Sequence, residues 1–199
     1  SCGNSPDITQ IDDSKNVCKY SKWLRISETK ETIFIEIINP DNPAEIYRLK
    51  LPNFKSKGSS KDNYDIEKPV ERMAVLSSTH IGMLAELNMI ERIVAVSELK
   101  CVFNAQLKSQ HPVQLGEEQT TSSEKIIKSK AELVVYNGFS NKFPKQELLN
   151  KLSIKTLPNY DWRETHPLGR AEWILLFGYL TGHQDEAKRK FEEICANYE

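Results

Sequence analysis

The run Ser77-Ser78-Thr79-His80 places three hydroxyls and an imidazole in consecutive positions. It stands between two short apolar runs, residues 73–76 and 93–96, with Ile81, Leu84, Ala85 and Leu87 at helical spacing between them. Apolar runs bounded by polar residues are the pattern of strands covered on both faces, and parallel pairing of two such strands needs a crossover. The intervening helix supplies it, with Ser78 or Thr79 placed to accept N–H groups at its start. The run therefore lies at the carboxyl end of a strand and the amino end of a helix. Ligands bind there in open α/β sheets, because free N–H groups and the helix dipole point outward.

Other chemistry has little support. The histidines at 80, 111, 166 and 183 have no HxxxH or HExxH spacing, so no metal site is indicated. His166 precedes Pro167 and reads as a helix-start residue rather than a general base. No GxGxxG, GxxxxGK[ST] or GxSxG segment occurs. No catalytic residue is assigned and the chain is not expected to be an enzyme. Cys18, Cys101 and Cys195 show no CxxC spacing and are expected as buried thiols, although two could pair. Cys2 differs: the opening Ser-Cys-Gly-Asn-Ser and the polar run through Asp13 look like the start of a mature bacterial lipoprotein, in which Cys2 would carry the lipid.

The 199 residues, 39% hydrophobic and 28% charged, are enough for a sizeable core. A net charge of -1 offers no general attraction to nucleic acid. No apolar run approaches the roughly 20 residues of a membrane span, so a lipid would be the only attachment to a membrane.

In chain order, residues 1–16 read as a tether and residues 17–52 as a β-hairpin region. Its β-rich segments are 20–26, 32–38 and 45–51, forming a meander expected to lean on the main sheet. Residues 53–70, rich in Lys, Ser, Gly and Asp, read as a linker. Residues 71–165 repeat the strand and helix alternation: a strand near 113–116, a helix opening around residues 121–124 through Lys128, a strand at 132–136, a helix at 144–152 and a strand at 153–157. Right-handed crossovers then give a parallel sheet of about four or five strands with helices on both sides. Residues 166–199 carry helices at 167–180 and 184–198, broken near Thr181-Gly182-His183.

The order VLSSTHIGMLAELNMIERIVAVS, SSEKIIKSKAELVVYNG, LSIKTLPNYDWRETHPLGRAEWILLFGYLTG resembles the N-terminal lobe of the substrate-binding proteins of iron-siderophore, haem and cobalamin ABC importers, over roughly residues 17–199. KYSKWLRI and IEIINP resemble the leader of Bacteroides-type members. The resemblance implies an α/β fold: one three-layer, parallel-sheet lobe of a two-lobed periplasmic protein whose lobes are joined by a rigid helix, with an N-terminal β-hairpin attachment. The C-terminal helices would correspond to the interlobe helix region, and only one lobe is expected in this chain.

It further implies a periplasmic, lipid-anchored component that binds an iron chelate, haem or cobalamin and docks on a membrane permease. The ligand-facing wall would comprise Ser78, Thr79, His80, Glu117, Glu118, Tyr136, Asn137, Phe139, Tyr160 and Trp162. Ser97 and Glu98 lie at a further strand end. His80 would meet a metal chelate through its ring, and the aromatic residues would stack on a flat ligand, although packing roles are equally open to them; Trp173 reads as packing. Glu124 would meet permease arginines, while Thr121-x-x-Glu124 is also a capping box. A single-lobe interaction module, or less readily an α/β enzyme, is the alternative reading.

Overall fold

The computed structural model describes residues 11–56, 62–140 and 142–198, with only the backbone of Cys101. Cys2 lies outside these residues. The chain forms two compact units, one running to Pro69 and resuming at Tyr160, the other spanning Val70–Asn159.

The second unit is built on a five-stranded sheet in which every pairing is parallel. Its strands are β4 (Met73–Val75), β5 (Ile93–Val96), β6 (Val113–Gln114), β7 (Leu133–Tyr136) and β8 (Lys155–Pro158), in spatial order β6-β5-β4-β7-β8. The connecting helices are α1 (Ser78–Glu86), α2 (Ala105–Ser109), α3 (Ser123–Ser129) and α4 (Gln146–Lys151). Successive residues of a strand face opposite ways, so a sheet covered on both sides has no polar alternation. Ala74, Leu76, Val134 and Tyr136 join Ile126 of α3 and Leu149 of α4 in one buried cluster. The opposite face, with Met73, Val75, Leu133 and Val135, is buried as fully. The α/β lobe with a parallel sheet is therefore the observed fold.

The first unit begins as an antiparallel meander of β1 (Leu24–Glu28), β2 (Thr32–Ile38) and β3 (Ile46–Pro52). Ile33 pairs with Leu51 and Ile35 with both Ile26 and Leu49, so the β-branched alternation places one apolar face inward. On the other face Arg25, Glu36 and Arg48 form a cross-strand row. The helices of this unit are α5 (Pro167–Ala171), α6 (Ile174–Thr181) and α7 (Gln184–Tyr198). A single helix over 167–180 is not formed. Trp173 N–H bonds to Arg170 O and Leu176 N–H to Trp173 O, a tighter i to i+3 pattern that separates α5 from α6. His166 caps α5, its Nδ1 accepting from Leu168 N–H at 3.1 Å. Gly182, at φ 75°, ends α6 as the left-handed cap.

Within this unit the partner of the meander is the helical segment, tied through backbone donors. Glu172 accepts N–H groups from Lys19, Tyr20 and Ser21 at 2.7–2.8 Å. Glu164 takes the hydroxyl of Ser21, the N–H groups of Lys22 and Trp23, and the indole N–H of Trp173. Gly169 lets this close approach occur, since a Cβ there would stand 2.9 Å from Tyr20 O. Glu172→Ala removes the acceptor of three N–H groups and is expected to cost about 2 kcal/mol in urea unfolding, with Glu172→Gln milder because one acceptor oxygen remains.

Candidate functional site

In the order β6-β5-β4-β7-β8 the chain first builds outward from β4 to one side and then returns to build on the other. The reversal falls between β4 and β7, and crossovers leave a crevice outside the carboxyl ends of the strands at such a point. The residues there come from the segment after β4, the turn after β7 and the loop after β6.

After β4, the cap is Ser77 rather than Ser78 or Thr79. Its Oγ accepts from Thr79 N–H at 3.3 Å and shares a 3.0 Å hydrogen bond with the Thr79 hydroxyl. Ser78 and Thr79 are exposed in the first turn of α1. His80 was expected on the ligand-facing wall, but its side chain is fully buried, sharing the inward stripe with Ile81 and Leu84. The cause is helical phase: with the helix starting at Ser78, positions 80, 81 and 84 fall on one face.

After β7, Tyr136 is buried with its ring 5.0 Å from that of Phe143, a packing position. Asn137 is half-buried, Gly138 takes φ 71°, and Phe139 is 59% exposed. Glu118, in the short 3-10 helix Glu118–Thr120 after β6, is only 6% exposed. Its two oxygens accept the backbone N–H groups of Asn137 at 2.7 Å and Phe139 at 3.1 Å. Its carboxylate is thus committed to the protein's own turn, whereas the neighbouring Glu117 side chain is exposed. Ser97 and Glu98 are half-exposed beyond β5.

Glu124 is exposed in the first turn of α3. The Thr121 capping box is not formed: Ser122 is the cap and accepts from Lys125 N–H at 3.4 Å, while the Thr121 hydroxyl donates to Glu117 O at 2.7 Å. Tyr160 and Trp162 belong to the other unit, where Tyr160 is buried and Trp162 is 40% exposed under the Arg163 guanidinium. Trp173 is fully buried, as its packing reading requires. Cys18 is a buried free thiol, its pKa pushed well above the usual value by desolvation.

Sequence reasoning missed Phe103. It follows β5 and the 3-10 helix Leu99–Cys101, is 93% exposed, and stands in a stretch without periodicity that gave no signal beyond an isolated aromatic residue. Among the described residues no group of three or more His, Cys, Asp or Glu side chains could hold a metal ion. Nor is any described helix long and apolar enough to cross a membrane.

Comparison with known structures finds a possible iron-binding, periplasmic solute-binding protein of Staphylococcus epidermidis at TM-score 0.54 and 21% identity, covering 65% of this chain and 49% of that one. A periplasmic haem-binding protein of Vibrio cholerae matches at TM-score 0.52 and 15% identity, over 63% of this chain and 46% of that one. The fold is that of a periplasmic solute-binding lobe. In sequence, an uncharacterised lipoprotein of Methanocaldococcus jannaschii is 27% identical over 151 residues, covering 68% of this chain. The chain spans 36% of that relative's length and about half that of the solved structures. No protein-family model matches.

Burial lowers the His80 pKa from 6.5 to about 3, so the folded protein keeps this ring neutral. Between those values the unfolded chain binds the proton and the folded one does not, and stability therefore falls as pH drops through the window. Urea midpoints measured from pH 7 to pH 3.5 should show this slope, and His80→Leu should flatten it whatever its effect on absolute stability.

Proposed function

We propose that this chain supplies one wall of the solute site in a substrate-binding protein of an ABC importer, with an iron chelate or haem as the transported ligand. The observation that carries the reading is the carboxyl edge of the parallel sheet at its switch point. There Ser78 and Thr79 offer hydroxyls, Phe139 a phenyl ring and Glu117 a carboxylate, while Asn137 is half-buried with its side-chain nitrogen on Leu76 O. Solved structures that share the fold include a possible iron-binding solute-binding protein, a protein of an Fe3+-hydroxamate transport system and periplasmic haem-binding proteins. Cobalamin is the comparator.

A ligand held against one wall keeps much of its surface in water, whereas small-molecule sites bury most of it. The 199-residue chain titrated with haemin, ferric siderophores and cobalamin is therefore expected to bind weakly, and a protein carrying an opposing lobe to bind haemin or a ferric chelate far more tightly than cobalamin. Submicromolar affinity of the chain alone would overturn the one-wall reading. Failure of every ligand in both forms would favour the interaction module.

Glu124 is proposed to dock on arginines of the permease. As an exposed first-turn carboxylate it also complements the α3 dipole, a contribution of about 0.5 kcal/mol. Glu124→Gln leaves the Ser122 cap in place, so it is expected to reduce permease binding and transport several-fold with ligand affinity unchanged. Wild-type transport in both Glu124→Gln and Glu124→Lys would leave Glu124 a helix-end charge only. We further propose that Cys2 carries a lipid and holds the protein at the cell envelope, which mass spectrometry of the membrane-extracted protein tests.

A further inference from the structure

We infer that Glu118 is a positioning residue, whose carboxylate fixes the turn 137–139 and thereby sets how Phe139 is presented to a ring-bearing ligand. The inference rests on the solute-binding reading above, and it replaces direct ligand contact by Glu118.

The geometry makes the carboxylate a tie between separate parts of the sheet edge. Glu118 follows β6, whereas the turn it holds follows β7, and β5 and β4 lie between these strands. Three inter-strand spacings are about 14 Å. The loop after β6 runs past the carboxyl end of β5, where Leu115 and Gly116 N–H groups bond Val96 O and Ser97 O, and Asn137 reaches back to Leu76 O after β4, so that the carboxylate and the two N–H groups meet across the intervening strand ends. A carboxylate 6% exposed bears a desolvation cost that two charge-assisted hydrogen bonds offset. Gly138 at φ 71° lets the backbone turn so that both N–H groups converge on one side chain. The same turn leaves the Phe139 ring 59% exposed. The ordering thus serves a turn that displays a large apolar ring after β7, the strand paired with β4, whose own end carries the hydroxyls of Ser78 and Thr79; an edge with these groups suits a flat or aromatic ligand bearing oxygen acceptors, such as haem or a catecholate complex.

The test compares Glu118→Ala, Glu118→Gln, Phe139→Ala and the double variant Glu118→Ala/Phe139→Ala in a protein carrying this chain with an opposing lobe. It uses haemin titration and amide hydrogen exchange at residues 137 and 139. Phe139→Ala is expected to weaken haemin binding about five-fold, the worth of one aromatic contact. Glu118→Ala should do the same, and the double variant should be no worse than either. Glu118→Gln, which keeps side-chain volume and one acceptor oxygen, should speed exchange at one of the two amides and weaken haemin binding less. Equal weakening by Glu118→Ala with and without Phe139 would mean that Glu118 does not act through the ring, and would overturn the inference. Unchanged exchange in both Glu118 variants would also overturn it. If the parent protein binds neither haemin nor a ferric tris(catecholate), the solute-binding reading itself fails; exchange at the two amides then separately shows whether Glu118 holds the turn.

Discussion

A carboxylate that gathers backbone N–H groups from a sequence-distant loop is the interaction on which both units depend. Loops carry donors that no ladder satisfies, and a donor buried without a partner costs as much as a lost hydrogen bond. In the first unit, five consecutive residues from Lys19 to Trp23 deliver their N–H groups to Glu172 and Glu164. In the second, Glu118 holds the turn after β7, and Glu132 takes the N–H groups of Glu71 and Arg72 at the opposite end of the sheet. Each tie converts a flexible entry segment into a defined one. The arrangement has an electrostatic cost where two carboxylates are neighbours. Desolvation raises the Glu172 carboxyl above its usual range, and the Glu164 charge adds to this against three opposing hydrogen bonds. Sharing donors among the two groups, with the Trp173 indole as an extra one, is what makes the pair tolerable.

Much of the fold was legible because its signals are local. The runs 73–76, 93–96 and, after Glu132, 133–136 are apolar on both faces, as a covered parallel sheet needs, and each reappears as β4, β5 or β7 within a residue or so. The meander was legible from short β-rich segments set off by Glu28-Thr29-Lys30 and Asn39-Pro40-Asp41-Asn42-Pro43, and α7 from a helical stretch ending at Tyr198. The breaks were harder. Residues 167–180 read as one helix by periodicity, but the Glu172 side chain serves a loop some 150 positions earlier, and a tighter turn intervenes. No local pattern encodes a contact of that range.

The strand-end positions were legible in the sequence, and the orientations of their side chains less so. Strand-end loops follow from topology, so Ser78, Thr79, Asn137 and Phe139 could be placed at the carboxyl edge from sequence. Whether a side chain there faces water depends on a phase that one residue can change, because each helical step turns the side chain by about 100°. With Ser77 as the cap, His80 turns inward with Ile81 and Leu84. Glu118 and Glu117 are adjacent in sequence and both acidic, yet one is buried on backbone donors and the other exposed. Phe103 lacked any periodic context, and only the structure shows its exposure.

These orientations bear on the proposed solute-binding reading of the edge. A neutral His80 buried behind the first turn of α1 adds no charge to the site, and the Glu118 charge is taken up by two backbone dipoles. What faces outward there is the hydroxyls of Ser78 and Thr79, the Phe139 ring and the Glu117 carboxylate, on a turn and a helix start whose own donors are partly capped. In the proposed solute-binding reading such a surface would select by shape and hydrogen bonding together with the Glu117 charge. In that reading the order that Glu118 gives the turn would add to affinity, because a preordered turn loses less conformational freedom when a ligand arrives.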